Sequence, residues 1–216
     1  MSENIRRYMA LYGPAGFLLR AAQMILLKLS AALRLPTRRP HSAREAARRA
    51  GARMLRIGRV NSPGNVALLR ALEPHFILSI ACPQILRRRV LEIPSIAALN
   101  VHSALLPENR GMLPTFWSLA ADPPRAGVTL HLMTTELDAG GIVLQREIPV
   151  DRREVSLHSL IAMCKRTGAE LAVRGMEALS AGGVEPREND ISRGSRRPFP
   201  TRRDVRAFLG AGGRIW

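Results

Sequence analysis

Apolar residues in this chain fall into short runs of strand length, separated by stretches with helical spacing. Residues 76–81 (FILSIA) and 96–101 (IAALNV) are nearly unbroken apolar runs, the pattern of strands covered on both faces. Residues 127–133 and 142–148 read as two further strands joined by a loop that holds Asp138. Around them, residues 65–72, 83–90, 112–120, 156–180 and 203–209 predict helices. The first of these follows the turn Asn61-Ser62-Pro63-Gly64, and the second opens at Pro83. Upstream, residues 2–33 read as a long helix in which Leu18, Ala22, Ile25, Leu26 and Leu29 recur at helical spacing. The punctuation LPTRRP at 35–40 ends that helix; residues 42–51 predict a second, rich in Ala and Arg, and 54–57 a short strand. Strands alternating with helices predict an α/β domain with a mostly parallel, Rossmann-like sheet flanked by helices. In such sheets ligands bind beyond the carboxyl ends of strands.

Charge changes this picture little. The net charge is +16, but it lies at the ends: residues 1–60 carry +11, residues 61–186 are balanced, and residues 187–216 carry +5. Of the 33 basic residues 31 are Arg, a bias that follows coding composition and weakens any nucleic-acid reading. Basic ends can still meet an anionic surface. They lack the interleaved aromatics that stack bases. Cys82 and Cys164 stand far apart, so no disulfide framework or zinc site is expected, and a cytoplasmic, reducing environment fits. Residues 17–35 are interrupted by Arg20, Lys28 and Arg34, which argues against stable membrane insertion. The stripe there predicts an amphipathic helix packed on the domain, with a helix lying on a membrane surface as the alternative.

The chemistry concentrates in residues 100–114, N-V-H-S-A-L-L-P-E-N-R-G-M-L-P. Asn100 and His102 are two apart, so on an extended chain both side chains point the same way. The loop E-L-D-A-G-G-I at 136–142 adds Asp138 beside glycines that admit close backbone approach. A donor, a base near neutrality and a carboxylate are the parts acyl transfer to an amine needs. His75 and His158 have no comparable context; His131, on the strand before the Asp138 loop, reads as structural, with a place facing the pocket as the alternative; Phe116 and Trp117 read as core.

The run N-x-H-x-x-L-L-P-x-x-R-G, followed by L-D-x-G, resembles the folate-dependent formyltransferases. These include the methionyl-tRNA, glycinamide ribonucleotide and sugar-amine formyltransferases. The resemblance spans roughly residues 61–180. It implies a formyltransferase-like fold and 10-formyltetrahydrofolate as formyl donor, with no metal. Asn100 would donate to the oxygen of the tetrahedral intermediate, His102 would assist it and move protons, and Asp138 would orient His102. Cys82, Ile85, Leu86, Leu137, Ala139, Gly140 and Gly141 would line the pterin pocket. Arg110 and Gly111 would shape the acceptor side. The implied division is a basic helical segment packed on the core (1–60), the catalytic core (61–186) and a basic tail (187–216).

The family's opening strand and glycine loop are not visible, so the first βα unit reads as missing or replaced. Ala104 and Gly141 depart from the usual residues. No second, β-rich tRNA-binding domain fits after residue 186. The expected activity is therefore formyl transfer to a small-molecule amine, an amino sugar in particular, with tRNA as the less favoured acceptor. Alternatives are formyltetrahydrofolate hydrolysis and a non-catalytic folate-binding relative. A homodimer would cover the sheet edge that a missing strand exposes.

Overall fold

The computed structural model describes residues 3–32 and 42–216. The punctuation expected at 35–40 lies outside them. The chain divides into two compact units, Met1–Gly58 and Arg59–Trp216.

The first unit holds helices α1 (Glu3–Ala32) and α2 (Ala43–Arg49). α1 is not one continuous helix: Gly13 adopts φ 68°, and Pro14 opens the second half. Proline fits a helix start because its missing N–H would be unsatisfied there anyway. Leu18, Ile25, Leu26 and Leu29, expected to pack inward, are exposed. The stretch Ile5–Leu26, which starts upstream of the interrupted segment 17–35, is long and apolar enough to cross a membrane by length and composition. In α2, Ser42 caps the first turn by accepting from the Glu45 N–H. The strand expected at 54–57 is irregular. Met54, Leu55 and Ile57 make it apolar enough for a strand, but an extended segment needs a partner for its backbone groups.

The second unit is built on a four-stranded sheet. Its strands are β1 (Phe76–Ile80), β2 (Ala97–His102), β4 (Ala126–Leu132) and β5 (Ile142–Ile148), in the order β1-β2-β4-β5. Helices α3 (Pro63–Arg70), α4 (Arg88–Leu91), α5 (Pro114–Ala120) and α6 (Leu157–Ser180) flank it. This is the expected α/β arrangement, with one correction. Within this sheet only β1 and β2 pair in parallel; β2–β4 and β4–β5 are antiparallel. The short connection from Leu132 to Ile142 accounts for the second case, because a parallel neighbour needs a crossover of about a dozen residues or more.

α6 lies on the face that carries Val101 and Leu130. A Cβ on Gly168 would sit 2.6 Å from Val101 Cγ1, and one on Gly175 would sit 2.2 Å from Leu130 Cδ2. These glycines, seven residues apart on one helix face, let the helix backbone close onto the sheet. Against the other face, Val66 of α3 and Val90 of α4 form a core cluster with Leu86, joined by Ile77 and Met133. The helix expected over 83–90 shrinks to the short α4. Asn61 takes the place of helical partners there: its amide donates to the Ile85 carbonyl, and its oxygen accepts the Arg87 N–H.

The segment after Arg187, expected as a solvated basic tail, folds onto the core. Strand β6 (Arg196–Arg197) pairs in parallel with β3 (Arg110–Gly111). Helix α7 (Arg202–Gly210) starts with a capping box between Thr201 and Asp204. It buries Val205 and Phe208, whose ring meets Phe116 at 5.3 Å. Its charges face outward while every third or fourth residue is apolar, which overall composition conceals.

Candidate active site

β2 sets the first two groups. Asn100 and His102 alternate onto the face opposite α6, as their spacing predicts, and Asn100 stands in register with His131 on antiparallel β4. The β4–β5 register slips next to His131, between Leu130 and His131. The Asn100 amide donates to His131 Nε2 at 3.1 Å, and His131 Nδ1–H donates to the Leu132 carbonyl at 2.7 Å. A carbonyl only accepts, so these two bonds fix the neutral tautomer with the lone pair on Nε2. By the same argument His102 Nε2–H donates to the Asn109 carbonyl at 3.1 Å, which leaves the lone pair on Nδ1.

Asp138 completes the group. Its Oδ1 lies 3.6 Å from His102 Nδ1 and 3.8 Å from His131 Nε2. Its Oδ2 accepts the Gly111 N–H at 2.9 Å. All three side chains are buried: His131 is 2%, His102 5% and Asp138 8% exposed. Burial lowers the pKa of His102, against the opposing pull of Asp138 and the Asn109 carbonyl. Burial also lowers that of His131; the Leu132 carbonyl and Asp138 oppose the shift and the nearby His102 adds to it. The His131 Nε2 lone pair is taken by the Asn100 amide hydrogen, so with both rings neutral it is the His102 Nδ1 lone pair and Asp138 Oδ1 that face one another with no hydrogen between them. Such a pair has the geometry to take up a proton.

Asp138 is held in the left-handed region, φ 52°. This is sparsely populated for residues other than glycine, although Asp tolerates it better than most. Two bonds from the Asn189 amide fix its loop, to the carbonyls of Asp138 and Gly140 at 3.0 and 3.1 Å. Gly140 is needed for a different reason from the one its sequence suggests. A Cβ there would lie 2.0 Å from the Leu132 carbonyl oxygen, so the loop closes on its own strand rather than opening toward a ligand.

The other expected residues divide. Cys82 and Ile85 are exposed just past the carboxyl end of β1, and β1 runs parallel to β2, so they stand on the same sheet edge as His102. Leu137 is exposed at the rim of the Asp138 loop, while Ala139 and Gly141 are partly covered. Leu86 turns into the core cluster with Val66 and Val90. Arg110 pairs with Glu136 at 3.2 Å, and Gly111 serves Asp138 through its backbone. The sequence reading missed Asn109 and Asn189 and favoured a structural role for His131, whose pocket-facing alternative is the one the geometry matches. A signal for His131 existed, since a short loop between two strands implies antiparallel pairing and brings β4 beside β2. Asn109 acts through its carbonyl, and Asn189 lies 51 residues beyond Asp138, so neither leaves a local pattern.

Fold and site together define an α/β domain with a half-buried amide beside buried imidazole and carboxylate groups at a sheet edge. The chain belongs to the formyl transferase family, whose sequence profile, described as "Formyl transferase", matches residues 33–175. A methionyl-tRNA formyltransferase of Pelobacter propionicus is 39% identical over 135 residues, 61% of this chain and 41% of that protein. One from Trichlorobacter lovleyi is 34% identical over 160 residues, 74% of this chain and 50% of that protein. The chain thus spans about half the length of these curated relatives. Among solved structures, a sugar N-formyltransferase from a Shewanella species shares the fold with a TM-score of 0.58 at 22% identity, over 73% of this chain and 60% of that one. The formyltransferase PseJ of Anoxybacillus kamchatkensis, solved with UDP-4,6-dideoxy-4-formamido-L-AltNAc and tetrahydrofolate, aligns with a TM-score of 0.54 at 25% identity, over 65% of this chain and 74% of that one.

Proposed function

We propose that this chain transfers a formyl group from 10-formyltetrahydrofolate to the amine of a small molecule, an amino sugar. The observation that carries the reading is the meeting of half-buried Asn100 with buried His102, Asp138 and His131 in one cluster. In this reading the amine nitrogen bonds to the formyl carbon, whose oxygen becomes anionic. Asn100 donates its second amide hydrogen to that oxygen, since the first is held by His131. The proton lost by the attacking nitrogen enters the space between His102 Nδ1 and Asp138. It returns to the folate nitrogen as the carbon–nitrogen bond to the donor breaks. Cys82, Ile85, Leu137, Ala139 and Gly141 line the pterin side; Leu86 and Gly140 contribute backbone only. Ile85, 69% exposed, supplies apolar contact.

Structural likeness to PseJ, solved with a formylated sugar nucleotide, supports a sugar amine. The methionyl-tRNA formyltransferases among the relatives favour a second reading, with charged tRNA as acceptor. The test is tetrahydrofolate release from 10-formyltetrahydrofolate with amino sugars, amino acids or charged methionyl-tRNA present. Release that depends on an amino sugar and is lost in His102→Ala and Asp138→Ala is the expected result. Release without an acceptor points to hydrolysis, and failure to bind folate overturns the reading.

A further inference from the structure

We propose that Asn189 is a positioning residue of this site, the device that sets Asp138 against the two histidines. The proposal rests on the reading that Asp138 takes part in proton transfer.

Asn189 lies beyond the matched family region, on a strap that runs from Arg187 to Arg197. The strap is tied at both ends. Arg187 and Ile142 exchange backbone hydrogen bonds of 2.8 and 2.9 Å at the start of β5. At the far end, the Ser195 carbonyl accepts the Arg110 N–H at 2.9 Å, and the Arg197 carbonyl accepts the Met112 N–H at 3.0 Å. Between these anchors the Asn189 side chain, in a residue only 7% exposed, donates to the carbonyls of Asp138 and Gly140. Two carbonyls accept from one NH2 group, so the amide can point only one way. These bonds bracket Ala139 and hold the residue whose backbone sits in the left-handed region. Without them, Asp138 can relax toward commoner backbone angles, and a small rotation there moves its carboxylate away from His102 Nδ1.

The same strap braces the opposite wall. Ser195 Oγ accepts the Asn109 N–H at 3.3 Å, and the Asn109 carbonyl in turn holds His102 Nε2. A Cβ on Gly111 would lie 2.4 Å from the Arg197 carbonyl oxygen. Gly111, whose N–H holds Asp138 Oδ2, is therefore pressed against β6. Both partners of the His102–Asp138 pair are seated by one segment, and Asn189 is its only side chain among the described residues that bonds to the Asp138 loop.

The test uses the full chain with Asn189→Leu, similar in size but without donors, beside Asp138→Asn. The first readout is the pH titration of the His102 ring followed by NMR. A carboxylate near Nδ1 raises that midpoint, so Asn189→Leu is expected to move it to lower pH, as Asp138→Asn does. The second is turnover of 10-formyltetrahydrofolate with the amino-sugar panel. There kcat is expected to fall about 100-fold while KM for the donor stays within about twofold, the pattern of misplacement rather than lost binding. Asn189→Ala carries the same expectation, so a folding defect in one variant does not remove the test. A His102 midpoint unchanged in Asn189→Leu, while Asp138→Asn shifts it, overturns the proposal. Absence of turnover in the unaltered protein overturns the formyl-transfer reading instead, and the NMR comparison still decides the positioning role.

Discussion

His102 and His131 each give one ring hydrogen to a backbone carbonyl; the remaining lone pair of His102 faces Asp138, and that of His131 accepts the Asn100 amide hydrogen. Burial holds both below the ordinary histidine range, so the folded protein resists binding protons that the unfolded chain takes up near pH 6.5. The unfolded state then binds more protons, and stability falls as pH drops through that range. Each histidine contributes a slope of up to about 1.4 kcal/mol per pH unit. Urea unfolding at pH 7.5 and 5.5 is expected to show lower stability at the lower pH, and His131→Gln to flatten the difference. An unchanged midpoint between these values would contradict neutral buried rings. Under the proposed mechanism Asn100→Ala removes the donor to the developing oxyanion, and kcat is expected to fall by roughly 10²–10³. The cysteines give a simpler check. Burial pushes the Cys164 thiol up to about 11, whereas Cys82 is exposed. A thiol reagent at pH 8 is expected to modify Cys82 alone in the folded protein and both in urea. Protection of Cys82 by a folate would support its place beside the pterin.

At the scale of elements, the contact between α6 and the sheet depends on having no side chain at two positions. Gly175→Ala places a methyl 2.2 Å from Leu130 Cδ2. The gain in helix propensity, about 1 kcal/mol, is opposed by overpacking that typically costs about 1–3 kcal/mol. The expected result is a net loss of stability in urea unfolding. Gly64→Ala, near the start of α3 with nothing within 4 Å of the added atom, is expected to be neutral or slightly stabilising. Equal effects at the two glycines would show that α6 does not pack as closely as described.

For the whole molecule, the last thirty residues matter more than their charge suggests. Val205, Phe208 and Ile215 are buried, and β6 backs the site. A chain ending at Pro186 loses three apolar side chains from the core, each worth about 1.5–3 kcal/mol. It also uncovers Phe116. Such a chain is expected to be insoluble or to unfold at much lower urea; wild-type stability would restore the view of a solvated tail. The acceptor can be tested at this scale too. A tRNA held by the basic ends would show an affinity that falls steeply with salt. Turnover of a sugar amine is expected to vary little over the same range.

The sequence by itself determined the elements and the central pair. Period-two alternation put Asn100 and His102 on one face, and strand-length apolar runs located all four main strands to within a residue or two of their ends. The helix 156–180 was equally legible, with Ser156 as its cap and Leu157 as its first helical residue. Local patterns of this kind survive folding because backbone geometry sets the periods. The tertiary structure alone decided what pairs across distance. Antiparallel β4 brought His131 to Asn100, Asn61 dissolved a helix expected 22 residues further on, and the strap from Arg187 carried Asn189 to Asp138. None of these follows from neighbours in sequence. A hydrogen bond selects its partner by position in space, and that position exists only once the sheet order and the path of the chain end are set.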